Sequence, residues 1–429
     1  MRNLKRALSL ALAAIMLIGM MVVSASATGL DDFSDKDKVV NKDAVSMLTT
    51  LGVINGKEDG SYFDPTGNVT RAEMAKMIAT VLNQGADVDG LYVGMNTGLT
   101  DVKGHWAESY INYCYSLGII AGRGNGKFDP AATVTGNEAA KMLLVAAGYD
   151  AQLAGLTGAD WAINVSVRAD EQGIFEGFTK DLSAPLNRDD AALLIYNALD
   201  VEMIQSYTTN NYPIVYSDHR TILSDKYGVI KVEGVVTANE WAILDDDTDT
   251  ALQEGKTRIY NPDGILSTTG NTAVAQDSSA NVKTQVFNVS TPVDMLGKAV
   301  TMYVKKTTIL ADSTVYGAPV VSDVNTVIET GEKVTGGDSK DDDSLAALLK
   351  GTGLATDKAT EYYHNYEEVA IDSADVDDIM NVKGAALTVI DNDNDGYVNY
   401  VISVEKSLTH VSGVSSKNET TTLYGLPGD

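Results

Sequence analysis

One cysteine and four histidines among 429 residues leave this chain with almost nothing for covalent cross-linking or metal chemistry. Cys114 has no partner for an intramolecular disulfide, so stability has to come from packing. Its neighbours Tyr110, Ile111 and Leu117 place it on the apolar side of a helix, which predicts a buried, inert thiol. His105, His219, His364 and His410 show no metal-ligand spacing. No Gly-x-Ser-x-Gly, His-Glu-x-x-His or phosphate loop occurs either. Carboxylates are too abundant for one pair to stand out as a glycosidase acid and nucleophile. Cations are scarce, with 32 Lys and Arg against 59 Asp and Glu and a formal net charge of -27. Such a balance argues against nucleic acid and against adsorption to anionic lipid, and an acidic polymer would have to be met by local cationic pockets. Only one long apolar run is present, Ala7 to Val23. It follows Arg2, Lys5 and Arg6 and precedes the small-residue triplet Ala25-Ser26-Ala27, the pattern of a signal peptide over 1–27. The rest is expected to be exported, with no further membrane segment.

What the chain does have is repetition. Gly52, Gly118 and Gly173 each follow a helical pattern and fit the left-handed position that ends a helix. Trp106 and Trp161 precede the second and third of these glycines by the same twelve residues, and Asp35 and Asp101 precede the first and second by seventeen. Downstream, Phe63-Asp64-Pro65 and Phe128-Asp129-Pro130 form turns that deliver the chain to a second helix. A shorter connection, Leu182 to Pro185, fills that place in the third copy. Thr70 and Glu73 then make a capping box, as do Thr135 and Glu138, and Asn187 caps the third copy. Met74, Met77, Ile78, Val81 and Leu82 continue as one apolar helix face. Arg71 and Arg188 occupy the first helical position, where the positive end of the helix dipole disfavours a cation. A cation placed there points to an anion it must meet. The second copy has Gly136 instead.

Each copy thus reads as helix, glycine stop, loop, proline turn and capped helix, and three copies are needed to close a core. This pattern resembles the S-layer homology domain of bacterial surface proteins. The second copy carries Asp101, His105-Trp106-Ala107, Gly118-Ile119-Ile120-Ala121-Gly122 and Phe128-Asp129-Pro130. The first carries Phe33-Ser34-Asp35, Gly52-Val53-Ile54-Asn55-Gly56 and Thr70-Arg71-Ala72-Glu73. The resemblance implies a pseudo-threefold helical bundle with repeats at 28–90, 91–153 and, degenerate, 154–205. It further implies grooves between repeats that bind secondary cell-wall polysaccharide through a pyruvylated sugar, holding the protein on a Gram-positive-type cell wall without a covalent bond. Carried onto this sequence, the anion sites are Arg71 and Arg188, whose fork suits a carboxylate. Trp106 and Trp161 are the sugar-facing walls. Core positions remain open for both tryptophans, and ordinary ion pairs for both arginines. Val40, Gly136 and Leu156 depart from the family pattern, so one or two competent grooves are expected rather than three.

After Ile204 the texture turns to short runs rich in Val, Thr and Tyr, an all-β region of small-barrel or sandwich type. Strands are predicted at 229–236, 241–244, 284–289, 299–304, 307–310 and within 385–404, in a β-rich domain over 206–335 and a second segment over 336–429. The latter opens with an acidic loop, Gly336 to Asp343, and a short helix, Ser344 to Leu349. Asp391, Asp393 and Asp395, with Gly396, have the alternation of a calcium loop, but position twelve is Ile402 and both flanks read as strands. A hairpin turn and a weak calcium site are the two readings. Cell-wall anchoring of a displayed surface protein is the expected function, with no enzyme activity and no other cofactor. An envelope enzyme acting on polysaccharide from the β-rich half is the alternative, and self-association into a surface layer is a further expectation.

Overall fold

The computed structural model describes residues 29–57, 60–217, 219–244, 251–262, 264, 283–305, 313–330, 345–369, 385–405, 410–415 and 420–424. The signal-peptide segment 1–27, the strand expected at 307–310 and the acidic loop 336–343 lie outside them. No helix among the described residues is long and apolar enough to cross a membrane. Two compact units emerge, one mainly up to Lys231 and one mainly from Val232 onward.

The first unit is built from three helix pairs. They are α1 (Lys42–Thr50) with α2 (Arg71–Leu82), α3 (Glu108–Ser116) with α4 (Gly136–Ala146), and α5 (Trp161–Glu171) with α6 (Arg188–Ala198). Both capping boxes form as expected, and the Asn187 side chain accepts from the Asp190 amide. Gly52, Gly118 and Gly173 all sit at φ 72°, ending the first helix of each pair where a Cβ would be strained. The pairs do not close on themselves. Instead α2 packs on α3, α4 on α5 and α6 on α1, so every second helix leans on the next repeat's first helix and the set closes as a ring.

At the centre of that ring three extended residues satisfy one another's backbones. The Val69 amide donates to the Leu186 carbonyl at 2.9 Å, Leu186 to Val134 at 2.9 Å, and Val134 back to Val69 at 3.0 Å. All three are buried, so this cycle resolves the polar groups of strand-like segments that have no sheet to join. One segment from each helix pair thus meets in a single cycle, in keeping with the threefold arrangement expected from the repeats. Beyond α6 the unit adds the small antiparallel pair β1 (Ile204–Tyr207) and β2 (Pro213–Val215).

The second unit is β-rich. One sheet has the order β5-β4-β3-β6-β7, from Thr284–Phe287, Thr257–Tyr260, Val229–Ala238, Ala299–Lys305 and Val315–Val321. The other has the order β10-β9-β12-β11-β8, from Glu367–Glu368, Glu361–His364, Tyr400–Glu405, Ala385–Asp391 and Thr326–Glu329. A hairpin, β13 (His410–Ser415) with β14 (Thr420–Tyr424), completes the described strands. Both five-stranded sheets are open, with two end strands each, and none of the described sheets closes into a barrel. The short helix α7 (Leu345–Leu349) lays Leu345 and Leu349 on Leu387, Val389 and Val401. The strand expected at 241–244 is a turn with a single bridge, Ala238 to Ile243. Asn239 causes it, because its Oδ1 accepts the amides of Trp241 and Ala242 and so offers the backbone an alternative to a ladder.

Candidate functional site

The junctions between repeats are where the singled-out residues meet. A helix start leaves its first amides without intrahelical partners. Here the neighbouring repeat supplies them: the Arg71 and Ala72 amides donate to the carbonyls of Ala132 and Pro130, those of Arg188 and Asp189 to Gly67 and Pro65, and that of Asn137 to Leu182. Every second helix therefore docks end-on against the turn of another repeat. The aspartate seventeen residues before the glycine holds that turn in shape. Asp35 accepts the amides of Phe63 and Asp64, both at 2.8 Å, and Asp101 accepts those of Phe128 and Asp129 at 2.9 and 2.8 Å. Such bracing fits the left-handed backbones of Asp64 and Asp129, at φ 62° and 57°.

The two arginines complete the docking. Arg71 lies over the Phe128 ring with its Cζ 4.5 Å from the centroid, and its Nε donates to the Phe128 carbonyl at 2.9 Å. Arg188 repeats this on Phe63, at 5.0 Å from the centroid, with its Nε 2.8 Å from the Phe63 carbonyl. Both are buried, at 7% and 8% exposure, and burial pulls both guanidinium pKa values down from their ordinary value. The sequence gives no direct sign that each arginine answers the phenylalanine of another repeat. One clue is present: the third copy lacks the phenylalanine, and the second copy, which docks on it, lacks the arginine. Gly136 fills that junction, where a Cβ would meet the Leu182 Cα at 3.2 Å. An open cleft of ≈ 450 Å³ lies beside it, lined by Ser166, Phe175, Phe178, Lys180 and Leu182 among others.

Near each arginine's docking turn, a lysine on the helix that follows lies over an aromatic ring. In one groove the Lys141 ammonium sits 5.5 Å from the Trp161 ring, and its pKa is lowered by burial and then by the charge of Arg71. The same groove holds Glu138, 3.3 Å from Arg71 and 3.1 Å from Arg123. In the other, Lys76 lies over the Tyr110 ring at 5.3 Å, and Tyr110 is 6.2 Å from Trp106. Lys76 shares helix α2 with Glu73, the carboxylate with the largest electrostatic effect on Arg188. Trp106 is 54% exposed and Trp161 half-buried, so neither is a closed core residue. A cation with an open aromatic face beside it is chemistry suited to an acidic sugar, the fork or ammonium taking the carboxylate and the ring taking the apolar face of the pyranose. Lys76 and Lys141 recur at the same offset from the capping threonine, so the pair is visible in the sequence as part of the repeat.

Cys114 is fully buried against Ala75, and burial pushes its thiol up to about 12, as an inert thiol requires. In the second unit the turn between β11 and β12 gathers Asp391, Asp393 and Asp395, with one carboxylate oxygen of each within 4.8 Å of the others. These could hold a hard cation such as calcium. The Asp391 carboxylate already accepts the amides of Asp393, Asn394 and Gly396, which is how it shapes the hairpin turn.

The S-layer homology domain model matches residues 32–75 and 98–140. The chain carries S-layer homology repeats at these two places. Both matches contain the turns and helix starts just described. A cell surface protein of Thermoanaerobacter kivui is 27% identical over 395 residues, which is 91% of this chain and 44% of that protein. An S-layer protein of Bacillus licheniformis is 32% identical over 111 residues, 26% of this chain and 12% of its own length. An amylopullulanase of Thermoanaerobacterium thermosulfurigenes is 32% identical over 174 residues, 37% of this chain and 9% of its own. The chain thus spans less than half the length of these relatives. Its S-layer homology repeats and these relatives place it at the cell surface, in the wall layer.

Proposed function

We propose that the three helix pairs form one anchoring unit, with residues 154–205 as its third, degenerate repeat, and that this unit holds the protein on secondary cell-wall polysaccharide. The ligand is a sugar carrying a carboxylate, such as a pyruvyl ketal. Arg71 with Lys141 and Trp161, and Arg188 with Lys76 and Trp106, make the two competent grooves; the Gly136 junction, without its cation, makes none for an acid. One observation carries this reading: twice, at equivalent helix starts, a guanidinium is buried, and in the repeat it docks on a lysine lies over an aromatic ring, Trp161 itself in one case and Tyr110, next to the exposed Trp106, in the other. The β-rich unit is then what the anchor displays.

Sedimentation of the full chain with purified cell-wall sacculi tests this directly. Binding is expected to sacculi bearing their secondary polymer and to vanish after its extraction. Binding that survives extraction would move the ligand to peptidoglycan. The amylopullulanase among the relatives keeps one other reading alive, an anchored enzyme acting on polysaccharide. Release of reducing sugar from wall glycans by the full chain would support that reading.

A further inference from the structure

The two arginines stand at equivalent places but do not meet the same charges. Glu138 Oε1 is shared between Arg71 Nη1 at 3.3 Å and Arg123 Nη2 at 3.1 Å, while its Oε2 accepts the Thr135 amide at 3.1 Å. Glu73 is the counterpart of Glu138 by position. Its Oε2 accepts both the amide and the hydroxyl of Thr70 at 2.8 Å, and among the described residues it makes no ion pair with Arg188. The difference traces to the residue five places after the glycine stop. Arg123 is long and forked enough to reach Asp129 at 3.6 Å as well as Glu138, whereas the single ammonium of Lys57 is committed to Asp64 at 2.7 Å. Arg188 is left with the carbonyls of Phe63 and Asn55 and the face of the Phe63 ring.

A buried guanidinium with carbonyl partners and no direct ion pair keeps only the longer-range attraction of Glu73, Asp64 and Asp35 in place of the water it has lost, and an incoming anion adds the direct contact. Arg71 has such a contact built in, so a ligand must compete with Glu138 for it. We infer that the Arg188 groove is the stronger of the two sites for a carboxylate-bearing sugar, and that Glu138 acts as an internal competitor that weakens the Arg71 groove. This rests on the reading that both grooves take an acidic wall polymer.

Calorimetric titration of the full chain with purified secondary-polymer fragments, intact or with their carboxylates chemically reduced to alcohols, tests it. Wild type is expected to show a tight and a weak class of site for intact fragments. Glu138→Gln removes the competing charge and keeps a side-chain oxygen for the Thr135 amide, so it should tighten the weak class by about tenfold. Lys57→Arg, which brings a fork to the other groove, should weaken the tight class. Neither change should matter for reduced fragments. Because Glu138→Gln is a gain of affinity, damage to the fold cannot imitate it. Unchanged affinity in Glu138→Gln, or an Arg71→Gln loss as large as that of Arg188→Gln, would overturn the ranking while leaving the anchor in place. Equal binding of intact and reduced fragments by wild type would overturn the carboxylate as ligand, and no binding of either would overturn the anchoring reading and this inference with it.

Discussion

Two of the three junctions in the helical unit are closed by a guanidinium laid on a buried phenylalanine, and the third by a glycine pressed against Leu182. The contrast teaches that arginine and phenylalanine are one device divided between neighbouring repeats. When a repeat loses the ring, the repeat that docks on it has no use for the cation, and a small residue lets the backbones approach instead. The arginines therefore serve the fold as well as the proposed groove. Emptying a position of its cation is expected to have a structural cost as well as a binding cost.

The largest effect that sharpens this contrast is expected at the ring. Phe128 is fully buried, and Phe128→Ala should cost about 3–5 kcal/mol of stability. Leu182→Ala, at a half-buried site, should cost less than half as much. Urea midpoints of the two variants at constant m-value check this, and equal losses would break the distinction between the junctions. Next comes Gly136→Arg. The new Cβ meets the Leu182 backbone at 3.2 Å, so a destabilisation of about 1–3 kcal/mol is expected from overpacking, with no third acid-binding groove gained. A stable Gly136→Arg variant with an added polymer site would show that the missing ring did not matter.

A smaller effect follows from the brace beneath Phe128. Burial alone would raise the Asp101 pKa, but the amides of Phe128 and Asp129 outweigh it, and the net shift is downward from 3.8. A carboxyl group with its folded pKa depressed contributes stability that is full above the unfolded value and lost as pH falls through the folded one. Thermal midpoints measured as pH drops below 3.8 should fall less steeply in Asp101→Asn than in wild type. The smallest effect is a rate. Cys114, between α2 and α3 with its thiol held at about 12, should resist thiol reagents in the native protein. Phe128→Ala should speed its labelling by loosening that packing.

Much of this was legible in the residues. The offsets of Gly52, Gly118 and Gly173 set the helix ends, and the capping pairs set the helix starts. The misfit of Arg71 at a helix N-terminus marked a special role. The ring-wise pairing of α2 with α3, α4 with α5 and α6 with α1 was not legible, because local pattern gives no order for repeats that look alike. For the same reason Arg71 offered no sign that its aromatic neighbour is Phe128, from another repeat, and that Trp161 is reached only through Lys141. In the β-rich unit, alternation located 229–238 and 299–305 well. It failed at 241–244, where the Asn239 side chain captures two amides that a strand would have used.

Whether the buried arginines bind the wall polymer separates an anchor from a mere fastening between repeats. The most direct measurement is sedimentation of the full chain with polymer-bearing sacculi, comparing wild type with the double variant Arg71→Gln plus Arg188→Gln, each confirmed as folded by circular dichroism. Polymer-dependent sedimentation of wild type and its loss in the folded double variant is the expected result. Undiminished sedimentation of that variant would contradict the account and leave both arginines as fasteners between repeats.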